Sequence, residues 1–293
     1  MRAVRERANA KINLYLDVIS KREDGFHDIK TVMHSVSLAD EIVVIANPSS
    51  TTQIRMLIKG NKFLPSDEKN LAVRAAKLYL ETAQKNANIE IRLNKKIPIA
   101  AGLAGGSSDA AATLRAMNKL FGRIFSERAM LKMAAKLGSD VPYCLYGKTA
   151  VCEGRGEIIT KLPDNLRLNV VLAIANERVA TPSAYTKLDE IFSSFDGSIK
   201  TYGDNYYNEL ISALTFKGQM PNTLFNVFEA AVLPLCKGAS RIKASLTDIG
   251  ARCVLMSGSG PSVFGIFDTF EEAKHACTIL RRENITAYAV KSI

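Results

Sequence analysis

Residues 98–114 read PIAAGLAGGSSDAAATL, and this stretch decides how the rest of the chain is interpreted. Small residues let a backbone approach a ligand closely, and the free N–H groups and dipole at a helix N-terminus favour an anion. Ser107 and Ser108 could cap the helix that follows, and their hydroxyls could contact phosphate. The stretch therefore predicts a phosphate-binding loop that runs into a helix.

Two common phosphate loops are excluded. No lysine follows Gly102 in the GxxxxGK[ST] pattern, and Leu103 and Ala104 break the GxGxxG pattern. A flexible loop before a serine-capped helix would also account for GGSS, so both interpretations stay open on this short motif alone. If phosphate binds here, its positive partner must come from another part of the chain.

Composition narrows the class of protein. The chain has 293 residues, a net charge of +10 and an isoelectric point near 9.3, which suits an anionic ligand. Lysines and arginines are dispersed without a block of about five like charges, which disfavours nucleic-acid binding. No run of about 18 apolar residues is present, so we expect no membrane-spanning helix. The five cysteines show neither a disulfide framework nor zinc-ligand spacing, which predicts a cytoplasmic location. The three histidines are too far apart in the sequence to suggest a metal motif.

Hydrophobic periodicity predicts the order of the elements. Alternation in residues 10–18 predicts a strand with Lys11 and Asn13 on a polar, half-exposed face. Ser66 is predicted to cap a helix, and residues 143–147 are predicted to form a strand.

The second half predicts an α+β layer. A helix is expected from an N-cap at Thr181 with Pro182 in its first position. A hairpin at 252–267, followed by a helix and a strand, predicts a mostly antiparallel sheet. Residues 193–222 carry no clear pattern and are predicted to be irregular.

The longer pattern around the glycines is more specific. Pro98, then GLxGGSS, then alanines that enter an amphipathic helix resemble the central motif of the GHMP kinases, which include galactokinase, homoserine kinase and mevalonate kinase. In that family this loop wraps the triphosphate of ATP, so the resemblance implies ATP as phosphoryl donor, with Mg²⁺. The implied ATP-binding residues are Pro98, Ile99, Ala100, Ala101, Gly102, Leu103, Ala104, Gly105, Gly106, Ser107 and Ser108.

Three further segments resemble the same family. ANAKINLYLDVISKREDGFHDIKTVMHSVSLAD (8–40) resembles the opening of one branch, AKINLxL followed by R-x-DGYH. KLGSDVPYCLYGKTAVCEGRGE (136–157) resembles that branch's G-x-DVP and G-x-GE, and MSGSGPSVFGIF (256–267) resembles a glycine turn that packs beside the ATP loop. The branch phosphorylates a cytidine diphosphate-linked polyol in isoprenoid precursor synthesis.

The resemblance also implies a catalytic pair. Asp140 would accept the proton of the substrate hydroxyl, and Lys11 would keep Asp140 ionised and stabilise charge on the transferring phosphoryl group. Phosphoryl transfer depends mainly on positioning and charge neutralisation, and this pair supplies both. Taken without the resemblance, the two residues would be interpreted as a solvated strand lysine and a turn aspartate.

Four residues are implied to bind the substrate. Asn13 would hydrogen-bond the polyol, Phe26 and His27 would hold the cytosine, and Tyr185 would stack on its other face. A core role for Phe26 and a surface role for Tyr185 are the alternatives.

The chain departs from the family pattern at three positions. Ala104 and Asp109 stand where many members read GLGGGSSN, and Phe26 stands where a tyrosine is common. Asp109 suits the helix dipole but would repel phosphate, unless it points away or meets magnesium.

The fold implied is α+β with the two-domain GHMP kinase architecture. A ribosomal-protein-S5-like N-terminal domain would span 1–163 and carry ATP binding and catalysis, and a ferredoxin-like C-terminal domain would span 164–293. A related kinase for another alcohol or phosphate, of the mevalonate or homoserine type, is the alternative. DGFH and Tyr185 argue against it, because those substrates carry no nucleobase. Nucleic-acid binding is a distant third.

Overall fold

The computed structural model describes residues 2–194, 203–217, 220 and 224–293. The chain forms two compact units that interleave along the sequence. The first unit comprises Met1–Ala10, Leu38–Ile99 and Ala104–Gly147, and the second comprises Lys11–Ser37, Ala100–Leu103 and Lys148–Ile293. The division into an N-terminal domain at 1–163 and a C-terminal domain at 164–293 stays a prediction.

The described residues contain β-strands and α-helices in mixed order. The strands are β1 (Arg2–Lys21), β2 (His27–Pro48), β3 (Gln53–Lys59), β4 (Ala87–Asn94), β5 (Thr149–Gly154), β6 (Ile158–Lys161), β7 (Asn169–Ile174), β8 (Phe225–Asn226), β9 (Cys253–Met256), β10 (Ser262–Phe267) and β11 (Thr286–Lys291). The helices are α1 (Leu71–Ala83), α2 (Gly105–Leu120), α3 (Glu127–Leu137), α4 (Val141–Tyr146), α5 (Thr181–Ser193), α6 (Asp204–Ser212), α7 (Phe228–Val232), α8 (Lys237–Asp248) and α9 (Phe270–Arg282). No described helix is of a length and apolarity that would let it cross a membrane.

The first unit packs helices on a sheet face. Residues 41–48 of β2 pair antiparallel with β4, and β4 pairs parallel with β3. Along β4, alternate side chains are buried, from Ala87 to Leu93, as the two-residue period of a strand requires. Helices α1 and α2 contribute to the same apolar core, in which residues 110–112 of α2, all alanines, are fully buried. These small residues let α2 lie close to its neighbours, and so they fix where its N-terminus lies.

The second unit contains a four-stranded antiparallel sheet. The strand order is β11-β7-β10-β9, and every neighbouring pair is antiparallel. Helices α5, α7, α8 and α9 contribute buried residues to the core of this unit. Helix α9 begins at a capping box formed by Thr269 and Glu272. The predicted antiparallel α+β layer is therefore confirmed.

Several predicted boundaries were wrong. Helix α1 is capped by Asn70, whose Oδ1 accepts from the Ala72 amide at 3.0 Å, and Ser66 lies before it. Residues 141–146 form helix α4 and not the predicted strand, because Pro142 near the helix start and the bond from the Cys144 amide to the Asp140 carbonyl favour a turn of helix.

Two further predictions in the second half need correction. Ala180, and not Thr181, occupies the N-cap position of helix α5, so Thr181 is its first helical residue. The irregular segment predicted at 193–222 is wrong for 204–217, which form α6 and a π-helical turn, Ala213–Lys217. Residues 195–202, 218–219 and 221–222 of that segment lie outside the described residues.

Candidate active site

The middle of the glycine-rich loop packs within the second unit. The Leu103 carbonyl accepts from the backbone amide of Lys11 at 3.2 Å, so the loop lies beside strand β1. Gly102 has a φ of +72°, and a Cβ there would lie 2.2 Å from the carbonyl oxygen of Ser257. The Ser257 hydroxyl donates to the Gly102 carbonyl at 3.1 Å. Only glycine fits such an approach, and the turn at 257–260 packs beside the loop as the family motif implies.

Asn226 holds this turn in place, although the sequence did not single it out. Its Nδ2 donates to the carbonyls of Met256 and Gly258 at 2.7 and 2.8 Å, and its Oδ1 accepts from the Phe228 amide at 3.0 Å. The Asn226 side chain thus satisfies backbone groups that a buried turn would otherwise leave unpaired. A Cβ on Gly258 would lie 3.4 Å from the Lys11 ammonium, which places that ammonium at the turn.

Lys11 is a buried cation in the second unit. The residue is 4% exposed, and its Nζ donates to Asn13 Oδ1 at 2.6 Å. Asn13 Nδ2 donates in turn to Thr31 Oγ1 at 2.9 Å, and the Thr31 hydroxyl donates to the Tyr15 carbonyl. The predicted half-exposed face was therefore wrong, because neighbouring elements cover it. This chain of hydrogen bonds fixes the direction of the ammonium, and the structure brings Lys11 and Asn13 together.

Helix α2 begins three residues earlier than a cap at Ser107 would require, and four earlier than a cap at Ser108 would require. Its N-cap is Ala104, in the left-handed region with φ +55°, and no described side chain caps the first turn. The Ser108 hydroxyl donates to the Gly105 carbonyl at 3.0 Å, so the predicted caps at Ser107 and Ser108 were wrong. Where Ala104 stands, a glycine would adopt the same φ without strain. An uncapped helix start of this kind is available to an anion.

Asp109 faces away from solvent and pairs with a lysine that the sequence did not single out. It is 3% exposed, and its Oδ2 accepts from Lys95 Nζ at 2.8 Å, while Lys95 also donates to Asp40. Burial, opposed by Lys95, raises the pKa of the Asp109 carboxyl to about 8. A raised pKa favours the uncharged form of this carboxyl, which repels a nearby phosphate less than a carboxylate does. No sequence pattern marks Lys95, because its two partners come from distant segments.

Asp140 lies in the first unit at the N-terminus of helix α4. Its carbonyl accepts from the Cys144 amide at 3.0 Å, and among the described residues its carboxylate makes no capping bond to the helix. The side chain is half-buried. Pro142 fixes the backbone just after it, so the start of this short helix sets the direction of the carboxylate.

A second cluster in the second unit contains the aromatic residues. The rings of His27 and Tyr185 stack with centroids 4.6 Å apart and planes at 24°, and Tyr185 meets Phe228 edge-on at 4.8 Å. His27 Nε2 lies 2.8 Å from Asp189 Oδ1, and Lys21 Nζ lies 2.6 Å from Asp189 Oδ2. Partial burial of Asp189 acts to raise its pKa, but the hydrogen bonds from Lys21 and His27 outweigh it and lower the pKa. The structure thus brings His27 and Tyr185 together.

Phe26 presents an open aromatic surface. It is 52% exposed, and the guanidinium carbon of Arg155 lies 5.0 Å from its ring centroid. A large exposed ring is unusual for a core residue, so the core interpretation of Phe26 does not apply. Arg155 belongs to the GRGE segment, which the resemblance marked without giving this residue a role.

Comparison with known proteins identifies the family. The model of the GHMP kinases N terminal domain matches residues 70–148, and that of the GHMP kinases C terminal domain matches residues 209–286. The chain is 39% identical over 285 residues to the 4-diphosphocytidyl-2-C-methyl-D-erythritol kinase of Lachnospira eligens, covering 97% of this chain and 95% of the relative. It is 43% identical over 263 residues to the enzyme of that name from Geobacillus sp. (strain WCH70), covering 89% and 86%.

Solved structures agree in fold. A crystal structure of 4-(cytidine 5'-diphospho)-2C-methyl-D-erythritol kinase matches with a TM-score of 0.79 and 32% identity, covering 99% of each chain. Homoserine kinase from Cytophaga hutchinsonii matches with a TM-score of 0.76 at 22% identity, covering 100% of this chain and 95% of its own, which shows the fold alone. The chain therefore belongs to the GHMP kinase family and is a small-molecule kinase. The predicted α+β, two-domain architecture of that family is confirmed.

Proposed function

We propose that this GHMP kinase transfers the terminal phosphoryl group of ATP to the 2-hydroxyl of 4-diphosphocytidyl-2-C-methyl-D-erythritol, giving the 2-phosphate and ADP. The reaction belongs to the synthesis of isopentenyl diphosphate. The similarity to kinases of that name over nearly the whole chain supports the proposal. The observation that carries it is the uncapped start of helix α2 in the GLAGGSS motif, together with an aromatic cluster suited to a nucleobase.

The loop at residues 98–108 holds the triphosphate. Its small residues admit close backbone approach, and the first amides of α2 carry no side-chain cap from the described residues, so they can bind phosphate oxygens. Oriented backbone dipoles need no rearrangement as charge moves during the reaction, which is how such sites stabilise a transition state. In this proposal ATP binds here, and Ser107 contributes a half-buried hydroxyl.

Lys11 supplies the positive charge that the loop lacks. Its ammonium is withdrawn from bulk water and held by Asn13, so its field on a nearby phosphoryl group is screened less than that of a surface lysine. Asp140 acts as general base and accepts the proton of the substrate 2-hydroxyl, with Lys11 as its electrostatic partner. Both roles act on positioning and charge, which dominate phosphoryl transfer.

Mg²⁺ accompanies ATP in this proposal. No group of three or more His, Cys, Asp or Glu side chains in the described part of the chain is arranged to hold a metal ion. This fits a cation that keeps several waters and binds mainly through the substrate's phosphates. When bound, Mg²⁺ neutralises charge on the transferring phosphate oxygens.

The cytidine binds at the aromatic cluster. Phe26 offers an exposed face on which a pyrimidine can stack, and the His27–Tyr185 stack provides a second aromatic surface with a polar edge. Stacking on such surfaces contributes about 1–3 kcal/mol per base. Asp189 fixes the His27 ring through Nε2, which sets the tautomer and direction that the ring presents to a ligand. In this proposal Asn13 hydrogen-bonds the polyol.

The cytoplasm is the proposed location. All five cysteines lie in the described residues, and none of these forms a disulfide. Cysteines that remain outside disulfides are typical of a reducing compartment.

A panel of acceptors tests the proposal. ADP release from Mg-ATP is measured with 4-diphosphocytidyl-2-C-methyl-D-erythritol, methylerythritol phosphate, mevalonate and homoserine at equal concentrations. We expect turnover with the cytidine compound to exceed turnover with each of the other three acceptors by about 100-fold or more. Those three acceptors carry no base, so they leave the base-binding part of the site empty. Preference for mevalonate or homoserine would favour the alternative kinase. Binding to random DNA with a steep salt dependence would favour the nucleic-acid alternative.

A further inference from the structure

Three ionisable side chains form a buried cluster in the first unit. Lys95 Nζ donates to Asp109 Oδ2 at 2.8 Å and to Asp40 Oδ2. The side chains of Lys95, Asp40 and Asp109 are 5%, 0% and 4% exposed. Charged groups are almost never buried to this extent unless they are paired, and keeping them buried is costly. These three charged side chains are therefore not explained by solvation at the protein surface, and a structural or functional role is expected for them.

The cluster links the two sequence ends of the glycine-rich loop. Asp40 Oδ1 accepts from the backbone amides of Lys96 and Ile97, the two residues before Pro98. Asp109 lies just after the loop, within the first two turns of helix α2. Lys95 bonds to both carboxyls, so one ammonium ties the entrance of the loop to the helix that follows it.

The ammonium also lies against the first residue of the helix. A Cβ on Gly105 would lie 2.9 Å from Lys95 Nζ and 3.1 Å from Ile97 Cγ2. Glycine is therefore the residue that lets Lys95 reach this place without displacement. Lys95 Nζ therefore lies close to Gly105, whose amide belongs to the uncapped first turn.

The charge of the cluster suits a neighbouring phosphate site. One ammonium and two carboxylates would bury a net negative charge, and burial raises the pKa of the Asp109 carboxyl. Asp109 Oδ1 has no hydrogen-bond partner among the described residues, which leaves it room to carry the proton. Lys95 and Asp40 are the charged groups that face it. When one of the two carboxyls carries a proton, the cluster adds no net negative charge next to the helix start.

We propose that Lys95 is a positioning residue for nucleotide binding. Its ammonium holds Asp40 and Asp109 together and so fixes the first turn of α2 relative to the residues that enter the loop. The inference rests on the proposed function, in which the loop receives the phosphates of ATP. Lys95 acts through the backbone it orients and is not assigned contact with the substrate.

A set of variants separates this role from a general effect on folding. Asp109→Asn keeps an oxygen that can accept from Lys95, whereas Asp109→Ala removes it. Lys95→Met is made in the Asp109→Asn background, so that only Asp40 is left charged and its two amide bonds remain. Lys132→Met, an exposed lysine of α3 in the same unit, is the matched control.

The readouts are the Kd of a fluorescent ADP analogue, the KM values for ATP and for the cytidine-bearing acceptor, and the urea unfolding midpoint. We expect Asp109→Ala and the Lys95→Met double variant to raise the nucleotide Kd and the KM for ATP by about tenfold or more, because small misplacement of a binding group is costly. Asp109→Asn should keep the nucleotide Kd within about threefold of the wild-type value. In all of these variants the KM for the acceptor should also stay within about threefold of the wild-type value.

The outcomes distinguish this inference from the proposed function. Folded variants with wild-type nucleotide affinity would overturn the role of Lys95 while leaving the kinase proposal intact. An equal rise in both KM values, tracking the loss of stability, would also overturn it and indicate a structural role. If the wild-type protein itself binds no nucleotide, the proposed function fails first.

Discussion

Gly102 approaches Ser257 so closely that a Cβ on Gly102 would lie 2.2 Å from the Ser257 carbonyl oxygen. The two residues are 155 positions apart in the chain, and the Ser257 hydroxyl also bonds the Gly102 carbonyl. This contact joins the central and C-terminal glycine motifs within the second unit. It explains physically why both segments are rich in small residues.

Gly102→Ala should lower the free energy of unfolding by about 2 kcal/mol or more, because the methyl group meets backbone that cannot move aside. Gly250→Ala is the matched control, since Gly250 also has a positive φ, +97°, but its Cβ would meet nothing within 4 Å. Urea unfolding measures both. Equal losses would mean that backbone strain alone, and not the contact with Ser257, requires glycine at 102.

Asp140→Asn should lower kcat by about 10²–10⁴ while the Kd for nucleotide stays nearly unchanged, as expected when a general base is removed. Rapid-quench measurement of ADP formation, with nucleotide titration beside it, checks the change. Asp248→Asn, at an exposed position of α8, serves as control. Near-normal turnover would exclude Asp140 as the base.

Lys11→Met should reduce kcat by a similar factor, because the side chain keeps its length and loses its charge in a buried position. Lys274→Met, exposed on α9, should leave kcat unchanged. Since Lys11 also holds Asn13, the acceptor KM is measured with kcat. A loss confined to that KM would show that Lys11 orders the substrate site and does not act on the phosphoryl group.

Tyr185→Ala should raise KM for the cytidine-bearing acceptor more than it lowers kcat. The substitution removes one aromatic ring of the proposed base site, and stacking of a base on such a ring contributes about 1–3 kcal/mol. Tyr185→Phe keeps the ring, so its KM should lie closer to the wild-type value than the KM of Tyr185→Ala. Steady-state kinetics with varied acceptor concentration provide the comparison. An unchanged acceptor KM in the alanine variant would show that Tyr185 does not contribute to binding the base.

His34 should make the fold sensitive to acid. The residue is 1% exposed, Nδ1 lies 2.8 Å from Thr149 Oγ1, and Nε2 has no partner among the described residues. Burial lowers the pKa of His34 to about 4. The unfolded chain takes up the proton first as the pH falls, so stability is full above about 6.5 and falls by about 3 kcal/mol toward pH 4.

The comparison for His34 is urea unfolding of the wild type and His34→Gln between pH 7 and pH 4. We expect a smaller fall in the variant, because glutamine does not titrate. Parallel curves would assign the acid sensitivity to other groups.

Much of the architecture follows from local sequence. The antiparallel layer and the glycine loop both depend on periodicity and turn residues within short windows. The helix at 141–146 was mistaken for a strand, because YCLY has β-forming residues and its helical start depends on Pro142.

The parts that escaped prediction depend on long-range contacts. Lys95 is bonded to Asp40, 55 positions away, and Asn226 holds carbonyls some 30 positions downstream. Lys11 was expected on a half-exposed face, because alternating apolar and polar residues are typical of a strand that is buried on one side only. Which residues meet across such separations is set by packing, and no local pattern encodes it.

The most direct measurement of the central claim is the structure of the product. The protein is incubated with Mg-ATP and 4-diphosphocytidyl-2-C-methyl-D-erythritol, and the product is examined by ³¹P and ¹³C NMR. A new phosphate monoester coupled to the methyl-bearing carbon, formed in step with ADP, is the predicted result. ADP without that monoester, or a phosphate on another hydroxyl, would contradict the account.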